Sequence, residues 1–211
     1  MLSEQTAELI RIFFHNRPNF QRIAKSKTVQ ELVAALEEVL MLYANDKNSS
    51  TLREWAVLQI AGCKPRTSKI GYNGYKGTVP YEVKPRNVLS SENKKLNGGG
   101  NFTDFTYERL EKYLQDDVRV LVAGFVDGNL VYVLEVPFVC LRDTIKAQLD
   151  KQFSSGRPKG VFLRSANFSF RNYANRCGVR LVFLRHDWRK FTNWLTRDFQ
   201  RYLQQLVGGT P

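Results

Sequence analysis

The chain has 211 residues, enough for one hydrophobic core and short for two independent enzyme domains, so one domain with a small extension is expected. An apolar fraction of 43% with 12% aromatics excludes a globally disordered chain. With 32 Lys and Arg against 20 Asp and Glu the net charge is +12, which favours a polyanionic partner: nucleic acid first, with an anionic membrane surface or a solvated basic exterior as alternatives.

A first helix is expected around Glu4 to His15, burying Leu9, Ile10, Phe13 and Phe14 and ending before Pro18. Thr28 with Glu31 forms a capping-box signature ahead of Val29, Leu32, Val33, Leu36, Val39, Leu40 and Tyr43 at helical spacing. A third helix starts near Ser50 and carries Leu52, Trp55, Leu58 and Gln59. The pattern then changes to a β-hairpin, Ser68 to Tyr72 and Thr78 to Lys84, about a turn at Asn73-Gly74-Tyr75-Lys76-Gly77. After an irregular stretch from Arg86 to Asn101, Thr103 or Asp104 can cap a helix with Phe105, Leu110 and Leu114. Strands at Arg119 to Phe125 and Leu130 to Val136 meet at Asp127-Gly128. A helix from Phe138 to Phe153 and strands at Val161 to Phe170 and Val179 to Arg185 follow. Asp187 then caps a last helix with Trp188, Phe191, Leu195, Phe199, Tyr202 and Leu206 on one face.

Three cysteines, Cys63, Cys140 and Cys177, are odd in number and lack CxxC spacing, which argues against a disulfide framework or a zinc site. No apolar run reaches the roughly 20 residues of a membrane span, and the first residues lack the marks of a signal peptide; a cytoplasmic protein is expected, with no membrane partner. His15 and His186 are the only histidines, and HExxH, GxSxG and P-loop motifs are missing, so zinc-dependent and serine-triad hydrolysis have little support.

The segment Pro80-Tyr81-Glu82-Val83-Lys84-Pro85 places an acid and a lysine two apart on one strand, on one face, behind a Gly-Tyr-Asn-Gly turn. The bland reading of such a pair is a surface ion pair. Glu82-x-Lys84 on the second strand of a hairpin, behind a helical region and ahead of a helix, resembles the PD-(D/E)XK nucleases, particularly the type II restriction endonucleases. The resemblance rests on residues 73–84 together with the basic C-terminal region and the chain length. It implies an α/β fold with a mixed central β-sheet flanked by helices, a helical region over 1–62, a catalytic sheet core over 68–136 and a DNA-contacting region over 157–211. It also implies Mg²⁺ as cofactor, held by Glu82 and the Val83 carbonyl, with Lys84 as the catalytic lysine.

The family places an Asp where this chain has Asn73, and an amide offers a hard cation only a neutral carbonyl oxygen. Three explanations fit: an Asp-to-Asn variant, an acid supplied from elsewhere, or a DNA-binding protein without catalysis. Glu54, on the helix before the hairpin, is the first alternative acid and Asp104 the second; an ordinary Asn-Gly turn would need Asn73 for its backbone alone.

For DNA contacts, Arg86, Lys94, Lys95, Asn97, Gly99 and Asn101 follow the catalytic strand in a glycine-rich loop expected to lead into a helix N-terminus. Between Arg157 and the C-terminus, nine Arg and two Lys face Asp187 and Asp198, a local net of +9. Within it Arg164, Ser165, Asn167, Arg171 and Asn172 alternate with aromatics, as side chains reading base edges in a major groove or as the wet face of an edge strand. Sequence-specific cleavage of double-stranded DNA by a homodimer is the resulting expectation. A structure-selective repair or recombination nuclease on the same core is the further alternative.

Overall fold

The computed structural model describes residues 3–15, 17–46, 50–66, 71–154, 162–174, 176 and 178–208. Two compact units result, Met1–Ser50 and Thr51–Pro211. Residues 68–70 of the expected first hairpin strand lie outside the described residues, as do Val161 and Cys177.

The first unit holds α1 (Glu4–His15), α2 (Arg17–Lys25) and α3 (Val29–Asn45). The capping box forms as its residues dictate: the Thr28 hydroxyl accepts the Glu31 N–H while the Glu31 carboxylate accepts the Thr28 N–H at 2.8 Å. That bond, with Lys27, the Thr28 hydroxyl and Gln5, lowers the Glu31 pKa from 4.5 to about 2. Its support is therefore complete above pH 4.5 and lost as pH falls towards 2. Thr28→Ala should cost about 1 kcal/mol of stability in this unit, read as an earlier loss of helical circular dichroism on heating or acidification.

The apolar stripe of α3 does not form a core. Val29, Val33, Leu36, Leu40 and Tyr43 are exposed, and only Ala44 is fully buried. With Leu32, Val39, Met41 and Leu42 also apolar, α3 has more apolar positions than two short partner helices can cover.

The second unit opens with α4 (Thr51–Ile60), which buries Leu58 of the expected face together with Arg53 and Val57, while Trp55 is 54% exposed. A six-stranded sheet follows in the order β1-β2-β3-β5-β6-β8: β1 (Lys64–Pro65), β2 (Gly74–Lys76), β3 (Val79–Val88), β5 (Arg119–Val126), β6 (Asn129–Pro137) and β8 (Arg180–Leu184). Only β3 and β5 pair in parallel, from Tyr81↔Arg119 to Val88↔Val126, so the sheet is mostly antiparallel. The crossover between them carries β4 (Gly100–Phe105) and α5 (Tyr107–Gln115). β5 and β6 read as near-continuous apolar runs because both faces of the sheet are covered. On one face, Val57 and Leu58 of α4 pack with Tyr81, Val83, Leu121 and Ala123. On the other, Val120, Val122 and Leu134 meet α5, α6 (Arg142–Ser154), α7 (Arg197–Gly208) and the aromatics Phe102, Phe105 and Phe138.

Several boundaries move. The hairpin turn is Gly77-Thr78, not 73–77: Lys76 pairs with Val79, and Gly77 takes a φ of +62° that a Cβ would resist. Thr103 and Asp104 lie in β4, and Thr106 caps α5 by accepting the Arg109 N–H. The glycine-rich loop therefore runs into a strand rather than a helix N-terminus. β4 pairs antiparallel with β7 (Leu163–Phe168) in a separate two-stranded ribbon, and Phe170–Asn172 is a 3₁₀ turn. A 3₁₀ turn at Phe138–Leu141 precedes α6. The final helix is divided: Trp188–Trp194 is 3₁₀, Asp187 makes no side-chain cap, and α7 starts at Arg197. Among the described residues no helix is long and apolar enough to cross a membrane.

Candidate active site

Period-two geometry on β3 sends Glu82 and Lys84 to the face covered by α5 and the aromatic cluster. Glu82 is 5% exposed, and its Oε1 accepts from Lys84 Nζ at 2.7 Å and faces an Arg109 nitrogen at 3.6 Å. The pair is thus not a surface ion pair. Lys84 Nζ also lies 4.7 Å from the Phe102 ring centroid.

Arg109 and Tyr113, one helical turn apart on α5, complete this cluster and were not among the expected residues. The Arg109 guanidinium donates to Tyr113 Oη at 2.6 Å and to the Thr103 carbonyl at 3.0 Å, and lies over the Phe105 and Tyr113 rings. Burial, then the Glu82 charge, pushes the Tyr113 phenol upward, so it stays protonated and able to donate. The available signal was an arginine four residues before a tyrosine on the helix that follows the motif strand.

Asn73 and Glu54 form a second cluster. Asn73 Nδ2 donates to Glu54 Oε2 at 2.9 Å, and Asn73 Oδ1 accepts the Val83 N–H at 2.8 Å. One amide thus joins α4 to the residue between Glu82 and Lys84. In a strand the N–H and C=O of one residue point to the same side, so the Val83 carbonyl faces the edge where Asn73 and Glu54 lie. Of the two alternative acids, the structure brings Glu54 to Asn73; Asp104 is exposed, at the opposite end of β4 from the Gly100 that touches Lys84, in left-handed backbone of φ 51°.

The resulting donors, Glu82, Glu54, the Asn73 carbonyl and the Val83 carbonyl, are all oxygen, as a hard divalent cation requires. Only two are charged, and among the described residues no three His, Cys, Asp or Glu side chains converge to hold a metal. Oxygen donors are the kind Mg²⁺ takes, and Glu54 is the carboxylate that the structure places beside Asn73, where an Asp was expected.

Two clefts flank the cluster. One, of about 750 Å³, is lined by Arg66, Tyr72, Tyr75, Arg109, Lys112, Tyr113 and Asp116. Its single acid, Asp116, is held below the usual carboxylate range by Lys112 and by the Tyr72 hydroxyl, which donates at 2.6 Å; it stays ionised and offsets Lys112, so Arg66 and Arg109 carry the excess positive charge of the cleft beside an aromatic wall. The other, of about 450 Å³, brings together Arg86, Asn97, Asn101, Asn167 and Asn172 with Gly100 and Ser169. Five of the expected DNA-contacting residues thus share one cleft.

The others are placed differently. Ser165 borders that cleft, with its hydroxyl 3.4 Å from both Asn101 Nδ2 and Asn167 Oδ1. Lys94 pairs with Glu92, and Lys95 is exposed on the same loop. Gly99 is buried: a Cβ there would stand 2.2 Å from the Phe168 carbonyl, so packing accounts for it without any phosphate. Arg164 is exposed but shares the strand parity of Ala166 and Phe168, which face the core. Arg171 turns to α7 and pairs with Asp198, away from the ribbon face. No protein-family model matches the sequence, and no curated protein shows significant similarity to it.

Proposed function

We propose that this protein is a Mg²⁺-dependent endonuclease of the PD-(D/E)XK type, built on a restriction-endonuclease-like core and cutting double-stranded DNA at a short sequence as a homodimer. The observation that carries the reading is the buried Glu82–Lys84 pair, set beside the Glu54–Asn73 clip on the second strand of a hairpin that α4 precedes and α5 follows. Mg²⁺ bound by Glu82, Glu54 and the Val83 carbonyl would act as a Lewis acid towards the phosphate and lower the pKa of water.

The chain's own groups then have distinct tasks. Lys84, fixed by Glu82 and the Phe102 ring, holds a water against the phosphate and balances charge as it develops. Arg109, anchored by Thr103 and Tyr113, offers its guanidinium to a non-bridging phosphate oxygen. Arg66 extends positive charge along the larger cleft for the flanking backbone. A palindromic site read by two copies gives the dimer its reason; a monomer in sedimentation, both free and on DNA, would remove that part alone.

Long mixed-sequence DNA with Mg²⁺ should yield discrete fragments that EDTA abolishes. Cleavage only at junctions or lesions would reassign the same residues to a structure-selective nuclease. A second reading, DNA binding without catalysis, is favoured by Asn73, whose amide satisfies both Glu54 and Val83 without a cation. Salt-sensitive binding with no cleavage at any Mg²⁺ concentration would establish it in place of the first.

A further inference from the structure

The β4–β7 ribbon has one face in the core and one in solvent. Phe102, Ala166 and Phe168 are buried, while Asn101, Thr103 and Asn167 are exposed and Ser165 half-buried beside them. Register sets Asn101 opposite Asn167 and Thr103 opposite Ser165, so the outer face is a rank of two carboxamides and two hydroxyls.

This rank is held rigidly. The Asn167 N–H and carbonyl are both bound by the Gln148 side chain, at 2.9 and 2.8 Å, which covers the outer edge of β7. Since those groups point away from β4, Asn101/Asn167 is a non-hydrogen-bonded pair, the narrow kind with Cα atoms about 4.5 Å apart; Thr103/Ser165, two residues along, is of the same kind. Behind the rank, Gly100 lets β4 touch the catalytic strand: a Cβ there would lie 2.8 Å from Lys84 Cβ. The rank thus stands at a fixed offset from Glu82 and Lys84.

We infer, on the premise of the DNA-cutting function above, that this rank enters the major groove and reads adenine, with Asn101 and Asn167 as the specificity-determining residues. A two-stranded ribbon fits that groove, and the carboxamide is the side chain that pairs bidentately with adenine N6 and N7, whereas guanine takes Arg or Lys, which the rank lacks. Same-face residues on a strand are about 6.8 Å apart, and base pairs rise about 3.4 Å, so the rank spans about two adjacent base pairs. Arg86, whose guanidinium donates to Asn97 Oδ1 at 3.2 Å in the same cleft, lies beside the rank as a phosphate contact.

The test uses the wild-type protein in EDTA, which prevents cutting, with a duplex library carrying a randomised central segment. The bound fraction should be enriched in one site containing adenine. Replacing that adenine by 7-deazaadenine or N6-methyladenine should weaken binding roughly 5- to 150-fold, the range expected for loss of a bidentate base contact. Asn101→Ala and Asn167→Ala should relax the preference at that position and leave the salt dependence unchanged, since neither touches phosphate. An enriched site without adenine, adenines that tolerate both modifications, or binding with no sequence enrichment would each overturn the assignment. Mg²⁺-dependent cleavage of mixed-sequence DNA is scored separately, so the endonuclease reading and the adenine reading can fail independently.

Discussion

Asn73→Asp is expected to raise cleavage at limiting Mg²⁺ by about tenfold or more and to make the stability of the second unit depend on the cation. The Asn73 amide donates to Glu54 at 2.9 Å and accepts from Val83 at 2.8 Å, so it acts as a clip. An Asp keeps the acceptor but loses the donor and sets two carboxylates against each other in a half-buried site. Losing a hydrogen bond to a charged group costs about 1.5–3 kcal/mol, and the like-charge contact adds to it. In EDTA the melting temperature should therefore fall by several degrees, on the scale of about 2–4 °C per kcal/mol for chains of this size. Millimolar Mg²⁺ should reverse the loss, because three carboxylates on one cation make a stronger site than two. Differential scanning calorimetry with and without Mg²⁺, beside a cleavage titration, measures both effects. A variant with unchanged melting in EDTA and no Mg²⁺ response would mean that Glu54 and Asn73 are not part of a cation site.

How far the sequence discloses this arrangement depends on the range of the interactions involved. The Thr28–Glu31 box and the Asp127-Gly128 turn are complete within a few residues, and both form as read. Glu82 and Lys84 share a face because strand period alone requires it. By sequence β4 reads as loop and helix start because its ladder partner lies more than sixty residues later for most of its length: Asn101 meets Asn167 only once β7 is in place. Thr103 and Thr106 are equally good caps by composition, and that pairing decides between them. The last helix breaks for a similar reason. Leu96 accepts from the Thr196 N–H and donates to the Trp194 carbonyl, two long-range bonds that no helical period announces. Arg109 was missed because its role comes from Glu82 and Thr103, neither of which is a helical neighbour.

Glu82→Gln and Lys84→Ala should each lower cleavage by about 10³-fold or more, the scale lost when a preorganised electrostatic or metal-ligating group is removed. Their effects on stability should differ. Lys84→Ala takes from the Glu82 carboxylate, whose side chain is 7% exposed, its closest cation and leaves it Arg109 at 3.6 Å and the Tyr113 hydroxyl; weakening the pairing of a buried charge costs up to about 3–5 kcal/mol. Glu82→Gln removes the charge at the same volume, leaves Lys84 partly exposed, and should cost less. Replacing both, as Glu82→Leu with Lys84→Met, removes the pair together with its desolvation cost and should return stability close to that of the parent. Cleavage separates a structural role from a catalytic one. If the pair only props the strand, the double variant regains activity along with its fold. If Glu82 and Lys84 act on the phosphate, the double variant is stable, binds DNA and remains as inactive as either single variant, because residues acting as one unit lose their contribution together. Thermal melts, DNA binding and fragment yield on the same three proteins decide it, and cleavage within tenfold of the parent by the double variant would remove the pair from the chemistry.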